Sequence, residues 1–128
     1  MTKPLLWIVD DEEDITEIIA VTGESIGFEC KTTTSARSFQ RNYDPSSVAA
    51  VVMDIVMPEM DGNELLQWLA VQDVSPPIVL ISGYGGAYLS VAEKLGETKG
   101  AVIVGSLLKP LNLGDLRQIL KEIYSAQY

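Results

Sequence analysis

The chain has 128 residues, with 18 Asp and Glu against 9 Lys and Arg, no His, one Cys and 47% hydrophobic residues. That length suits a single domain with one core. The lack of His excludes a His-ligated zinc site and a Ser-His triad, and one Cys excludes an internal disulfide or a Cys-ligated cluster. The formal charge of −9 argues against direct nucleic-acid binding, which needs clustered Lys and Arg. It leaves room for a cation.

Apolar runs such as Val48–Met53 are too short to span a membrane. Met1-Thr2-Lys3-Pro4 reaches Asp10 too soon to contain a signal-peptide core. A cytoplasmic protein is the expectation.

In chain order, Leu5–Val9 reads as the first strand. Asp11–Asp14 then precede or open a helix, where acids oppose the positive dipole end. Ile15, Ile18, Ile19, Thr22 and Ile26 recur on that helix at helical spacing. Phe28–Thr32 is the second strand, with Cys30 as an apolar filler. A second helix starts near Ser35 and ends before Asp44-Pro45. Val48–Met53 is the third strand, and a helix from near Gly62 carries Leu65, Leu66 and Leu69. Ile78–Ile81 is the fourth strand, followed by a helix within Ala87–Leu95. Ala101–Ser106 is the fifth. The last helix holds Leu113, Leu116, Ile119, Leu120 and Ile123, started by Asn112 as N-cap or by Asp115. Trp7 belongs to the core, while Trp68 is open between core and surface contact.

Five βα units with short apolar strands predict an α/β fold. The expected sheet is doubly wound, five-stranded and parallel, in the flavodoxin-like order 2-1-3-4-5. Its switch point lies between strands one and three, and ligands bind there at the C-terminal strand ends.

The residues at those ends are distinctive. Strand one runs into Asp10-Asp11 and strand three into Asp54. Three carboxylates in one cleft repel one another and are tolerated with a cation. Oxygen ligands without His or Cys favour Mg²⁺ over zinc. Asp10–Asp14 alone would be an ordinary acidic helix start; Asp54 tips the balance. Strand four leads to Ser82-Gly83 and strand five to Lys109-Pro110, bringing a hydroxyl and an ammonium to the same edge. Carboxylate, metal, hydroxyl and fixed cation together suit phosphoryl transfer.

Four motifs in order carry a resemblance: Asp10-Asp11, the string Asp54-Ile55-Val56-Met57-Pro58-Glu59-Met60-Asp61-Gly62, Ser82-Gly83 and Lys109-Pro110. Over essentially its whole length, residues 1–128, the chain resembles the receiver domain of bacterial two-component response regulators. The resemblance implies that Asp54 accepts a phosphoryl group from a histidine kinase or a phosphotransfer protein. It implies Mg²⁺ held by Asp11, Asp54 and the backbone carbonyl of Val56, with Asp10 acting through water. Ser82 would hydrogen-bond the phosphoryl group and Lys109 would pair with it. It also implies a cis peptide before Pro110, aiming Lys109 inward. Met57-Pro58 and Asp61-Gly62 would shape the loop, with Gly62 permitting a turn into the third helix. Such a domain is a signalling module that catalyses only its own phosphorylation and dephosphorylation.

Two departures from the family pattern stand out. Receivers carry Tyr or Phe three residues before the strand-five Lys, and here that position is Ser106. Tyr84 and Tyr88 lie on the same surface, and their ordinary reading is partly buried aromatics. The segment from Ser82 to Lys109 is also longer than in simple receivers. Together with Val104–Pro110 it resembles receivers joined to cyclic-di-GMP phosphodiesterase domains, although no output domain lies within these residues.

Two other functions compete. An Mg²⁺-dependent aspartyl-phosphate phosphatase would pair the nucleophile with an acid two residues later, where this chain has Val56. A flavodoxin-like nucleotide binder would not place Asp10–Asp14 where phosphate binds. A degenerate receiver that only binds partners remains as a variant of the leading reading.

Overall fold

The computed structural model describes residues 3–127 apart from Glu59, Asp61 and Asp73. Glu59 and Asp61 of the long motif therefore lie outside the described residues. The elements run β1 (Leu5–Val9), α1 (Glu13–Ile26), β2 (Glu29–Thr33), α2 (Ala36–Asn42), β3 (Val48–Asp54), α3 (Gly62–Ala70), β4 (Pro77–Ser82), α4 (Gly86–Thr98), β5 (Val102–Leu108) and α5 (Leu113–Gln127). All strands pair in parallel in the order β2-β1-β3-β4-β5. This is the predicted flavodoxin-like α/β arrangement.

Side chains alternate across a strand, so the central strands feed two cores. Leu5, Trp7 and Val9 of β1 join Val51 and Met53 of β3 against Phe39, Leu65, Leu66, Leu69 and Leu89 of α2, α3 and α4. Leu6 and Ile8 join Val52, Val79 and Ile81 against Ile19, Leu116 and Leu120 of α1 and α5. Trp7 is core, as expected, with Phe39 edge-on at 5.2 Å between ring centres. Trp68 packs partly buried against Phe39 and Tyr43.

Burial on both faces holds for β1, β3 and β4 but not for the sheet edges. The residues of β2 are half-buried or exposed, and so are those of β5. Each edge strand has only one neighbour and less helix cover. Cys30 is accordingly half-buried rather than a fully buried filler. On α1 the buried positions are Thr16, Ile19, Thr22 and Gly23, while Ile18 faces outward.

Helix ends follow local chemistry. The Ser35 side chain accepts from the Ser38 N–H and starts α2. Asn112 Oδ1 accepts from the Asp115 N–H at 3.0 Å, so Asn112 and not Asp115 caps α5. Helix α4 runs to Thr98, past the predicted limit at Leu95. Gly96 does not stop it, because that glycine is a packing site: an added Cβ would collide with the Leu66 side chain of α3.

Gly62 is a second packing site. Its N–H donates to the Ile55 carbonyl at 3.0 Å, and a Cβ there would collide with the Ile55 backbone. Close approach to the Ile55 backbone requires glycine here. Gly62→Ala should therefore lower the unfolding free energy by about 3 kcal/mol. Gly85→Ala, whose methyl meets nothing within 4 Å, should change it by less than about 0.5 kcal/mol. Urea denaturation measures both, and equal midpoints would refute the steric account.

Candidate functional site

Strand register brings the site together. Val9 pairs with Met53, so Asp10 emerges beside Asp54. Asp54 pairs with Ile81, and Ser82 with Leu108. The Lys109 N–H then donates to the Ser82 carbonyl at 2.8 Å. Neighbouring strands lie about 4.8 Å apart, so four strand ends deliver their side chains to one small region.

Lys109 is the centre of that region. Its Nζ lies 3.0 Å from Asp54 Oδ2, 2.9 Å from Glu12 Oε1 and 3.2 Å from Asp10 Oδ1. Asp10 Oδ2 is also 2.9 Å from Nζ, but as an ion-pair contact without hydrogen-bond geometry; that buried oxygen has no hydrogen-bond partner. The Lys109–Pro110 peptide is cis, as the resemblance implied.

The two aspartates at the strand ends differ from those at the rim. Asp10 is fully buried and Asp54 nearly so, while Asp11 is exposed. The Glu12 N–H donates to Asp10 Oδ1 at 2.8 Å, and the Val56 N–H to Asp54 Oδ1 at 3.0 Å. Burial still dominates. It raises the Asp10 carboxyl from an ordinary 3.8 to about 6, against the lowering effect of the Glu12 N–H and Lys109. It raises Asp54 as well, with the Val56 N–H and Lys109 opposing and the Asp11 carboxyl adding to the rise. Burial works against charge on Lys109 too. There the hydrogen bonds to Glu12, Asp10 and Asp54 outweigh it and hold the amine protonated well above its usual range.

A cleft of about 210 Å³ opens onto these groups, lined among others by Asp11, Asp54, Val56, Tyr84 and Lys109. Ser82 is fully buried and does not line it. Its hydroxyl accepts from the Tyr84 N–H at 3.0 Å and donates to the Tyr84 carbonyl at 3.3 Å. Of the residues singled out from sequence, Asp10, Asp54 and Lys109 are thus in direct contact. Val56 meets Asp54 through its N–H, Asp11 sits at the rim, and Ser82 is turned toward Tyr84.

Sequence reasoning missed Glu12. It lay inside the acidic run but was read only as part of a helix start. Its signal was adjacency to Asp11, which the fold converts into reach toward Lys109. Carboxylate oxygens of Asp10, Asp11 and Glu12 lie within 4.8 Å of one another. An all-oxygen donor set, a buried carboxylate oxygen without a hydrogen bond and more acids than cations fit a hard divalent ion such as Mg²⁺.

Position 106 has its own partner. Ser106 Oγ donates to Glu93 Oε2 of α4 at 3.1 Å. Tyr84 and Tyr88 are 59% and 40% exposed, with ring centres 6.0 Å apart, so both lie more open than the partly buried reading.

Charge burial makes a pH prediction for the metal-free protein. The folded chain holds the Asp10 proton more tightly than the unfolded chain, whose carboxyl titrates near 3.8. Ionisation therefore subtracts stability as pH rises from about 4 through about 6, by of order 2–3 kcal/mol. Asp54 acts in the same direction. With chelator present, Asp10→Asn should raise the melting temperature at pH 7.5 by roughly 5–10 °C. It should also flatten the decline between pH 5 and 7.5. A lower melting temperature in the variant would contradict a destabilising Asp10 charge.

The comparisons with known proteins agree with this geometry. The family model described as response regulator receiver domain matches residues 6–121. The response regulator protein TmoT of Ectopseudomonas mendocina is 31% identical over 124 residues, covering 93% of this chain and 54% of that protein. The transcriptional regulatory protein FixJ of Bradyrhizobium diazoefficiens is 32% identical over 96 residues, covering 74% of this chain and 47% of that protein. A crystal structure of a response regulator from Colwellia psychrerythraea superposes with a TM-score of 0.86 at 26% identity, covering 98% of this chain and all of that one. The chain spans about half the length of the curated relatives it matches.

Proposed function

The chain belongs to the response regulator receiver domain family of two-component systems, and from that premise we propose that it is a phosphorylation switch with Asp54 as phosphoacceptor. One observation carries the assignment: within the described residues, Asp54 is the carboxylate that is buried, lines the cleft and contacts Lys109.

In this reading Asp54 forms a P–O bond as the P–N bond of a partner's phosphohistidine breaks, and the departing imidazole keeps the electron pair. Asp11, Asp54 and the Val56 carbonyl would hold Mg²⁺, with Asp10 acting through water. When bound, that ion offsets the repulsion between carboxylate and phosphoryl oxygens. Lys109 pairs with the transferred group. Ser82 exchanges its bond to the Tyr84 carbonyl for one to a phosphoryl oxygen. Catalysis is then mostly positioning and charge neutralisation. The aliphatic Val56 side chain offers no acid or base, which argues against a phosphatase for external substrates.

The partners would be a sensor histidine kinase or phosphotransfer protein, acting in the cytoplasm. Among the described residues no helix is long and apolar enough to cross a membrane. The names of relatives such as FixJ favour a transcriptional output over the cyclic-di-GMP phosphodiesterase type.

Two outcomes test the proposal. Incubation with acetyl phosphate and Mg²⁺ should add one phosphoryl mass to the intact chain, and Asp54→Asn or chelator should abolish the gain. Labelling of the variant at the same level would refute the assignment.

The second outcome concerns transmission. A Ser82 hydroxyl drawn toward the phosphoryl group releases Tyr84, and Ser106 lacks a ring to follow it. Hydrogen exchange with beryllium trifluoride and Mg²⁺ should change most at Gly83–Tyr88. Changes confined to Ser106 and α5 would contradict this route.

A further inference from the structure

We propose that Glu12 is a positioning residue: it holds the third hydrogen-bonding site of Lys109 in the resting protein and yields it when a phosphoryl group arrives. The inference rests on the phosphoacceptor reading of Asp54 and adds a residue to it.

An ammonium has three N–H donors. Those of Lys109 meet Asp10, Glu12 and Asp54 at 3.2, 2.9 and 3.0 Å, so its capacity is filled. A phosphoryl group on Asp54 brings new acceptor oxygens beside the same ammonium. One existing bond must give way.

The three partners are not equally able to leave. Asp10 is fully buried, with one oxygen already lacking a hydrogen bond. Turning it from Lys109 would leave a buried carboxylate still less compensated. Asp54 is fixed as the acceptor itself. The Glu12 side chain is 59% exposed. Its carboxylate can rotate into water and keep its solvation, so it is the partner that leaves at least cost.

Two consequences follow. In the resting state Glu12 limits the freedom of Lys109. On phosphorylation it competes with the phosphoryl oxygens for one donor, so the protein binds the group less tightly than the same site without Glu12.

Glu13→Gln is the control. Glu13 carries the same charge one residue on, opens α1, and faces a separate polar cavity with Thr16 and Thr32–Thr34. It removes one negative charge without touching Lys109. The first measurement is the rate of acylation of Lys109 by an amine-reactive ester in metal-free buffer, read by peptide mass spectrometry. Glu12→Gln should raise that rate by about threefold or more, and Glu13→Gln by less than about twofold. The second is the affinity for beryllium trifluoride with saturating Mg²⁺, followed by fluorine NMR. Glu12→Gln should bind about fivefold tighter than the parent, and Glu13→Gln within about twofold.

Equal effects of the two variants would reduce Glu12 to a general charge and overturn the inference. So would weaker mimic binding by Glu12→Gln, which would make Glu12 a required ligand. A parent chain that binds no mimic would instead refute the phosphoacceptor reading, while the acylation rates would still report whether Glu12 holds Lys109.

Discussion

The structure turns on one ammonium set among carboxylates. Two of the acids, Asp10 and Asp54, are buried at strand ends where ionised groups are expensive. Lys109 lies within 3.2 Å of both. The pairing joins groups far apart in the chain, from the end of β1 to the residue after β5. Such pairs compensate charge that the site needs; they are a weak source of net stability.

Much of the surrounding sequence serves to hold those strand ends in place. The alternating apolar residues of β1 and β3 pack against helices on both faces. Asp10 and Asp54 therefore emerge from strands whose residues are almost all buried. Gly62 lets the start of α3 rest on the Ile55 backbone directly after Asp54, and Gly96 lets α4 rest on α3. Positioning groups on strands within a packed core restricts the freedom they would have on long loops.

The opposite edge is built differently. Ser82 is tied to the backbone of Tyr84, and Ser106 is tied to Glu93. The glycines at 83, 85 and 86 have little packed around them, whereas those at 62 and 96 are tightly enclosed. Glycine packing is thus close along α3 and sparse in the loop between β4 and α4.

The sequence by itself determined the layer architecture and which charged groups stand at the strand ends. Short apolar strands alternating with periodic helices leave few topologies, and acids, a hydroxyl residue and a lysine stood at the predicted strand ends. Asp10, Asp54 and Lys109 could be named because strand-end position alone brings them together. Tertiary structure decided what depends on side-chain reach and close approach. Glu12 reached Lys109 only through the way the chain leaves β1. Ser82 turned to Tyr84, because a buried hydroxyl takes the nearest backbone partners. Ile18 and Cys30 fell at faces and edges where cover runs out, and Gly62 and Gly96 proved to be sites of contact. Periodicity records which face a residue occupies. It does not record the distance to a neighbour supplied by a different part of the chain, and those distances set both the packing and the charge balance of the site.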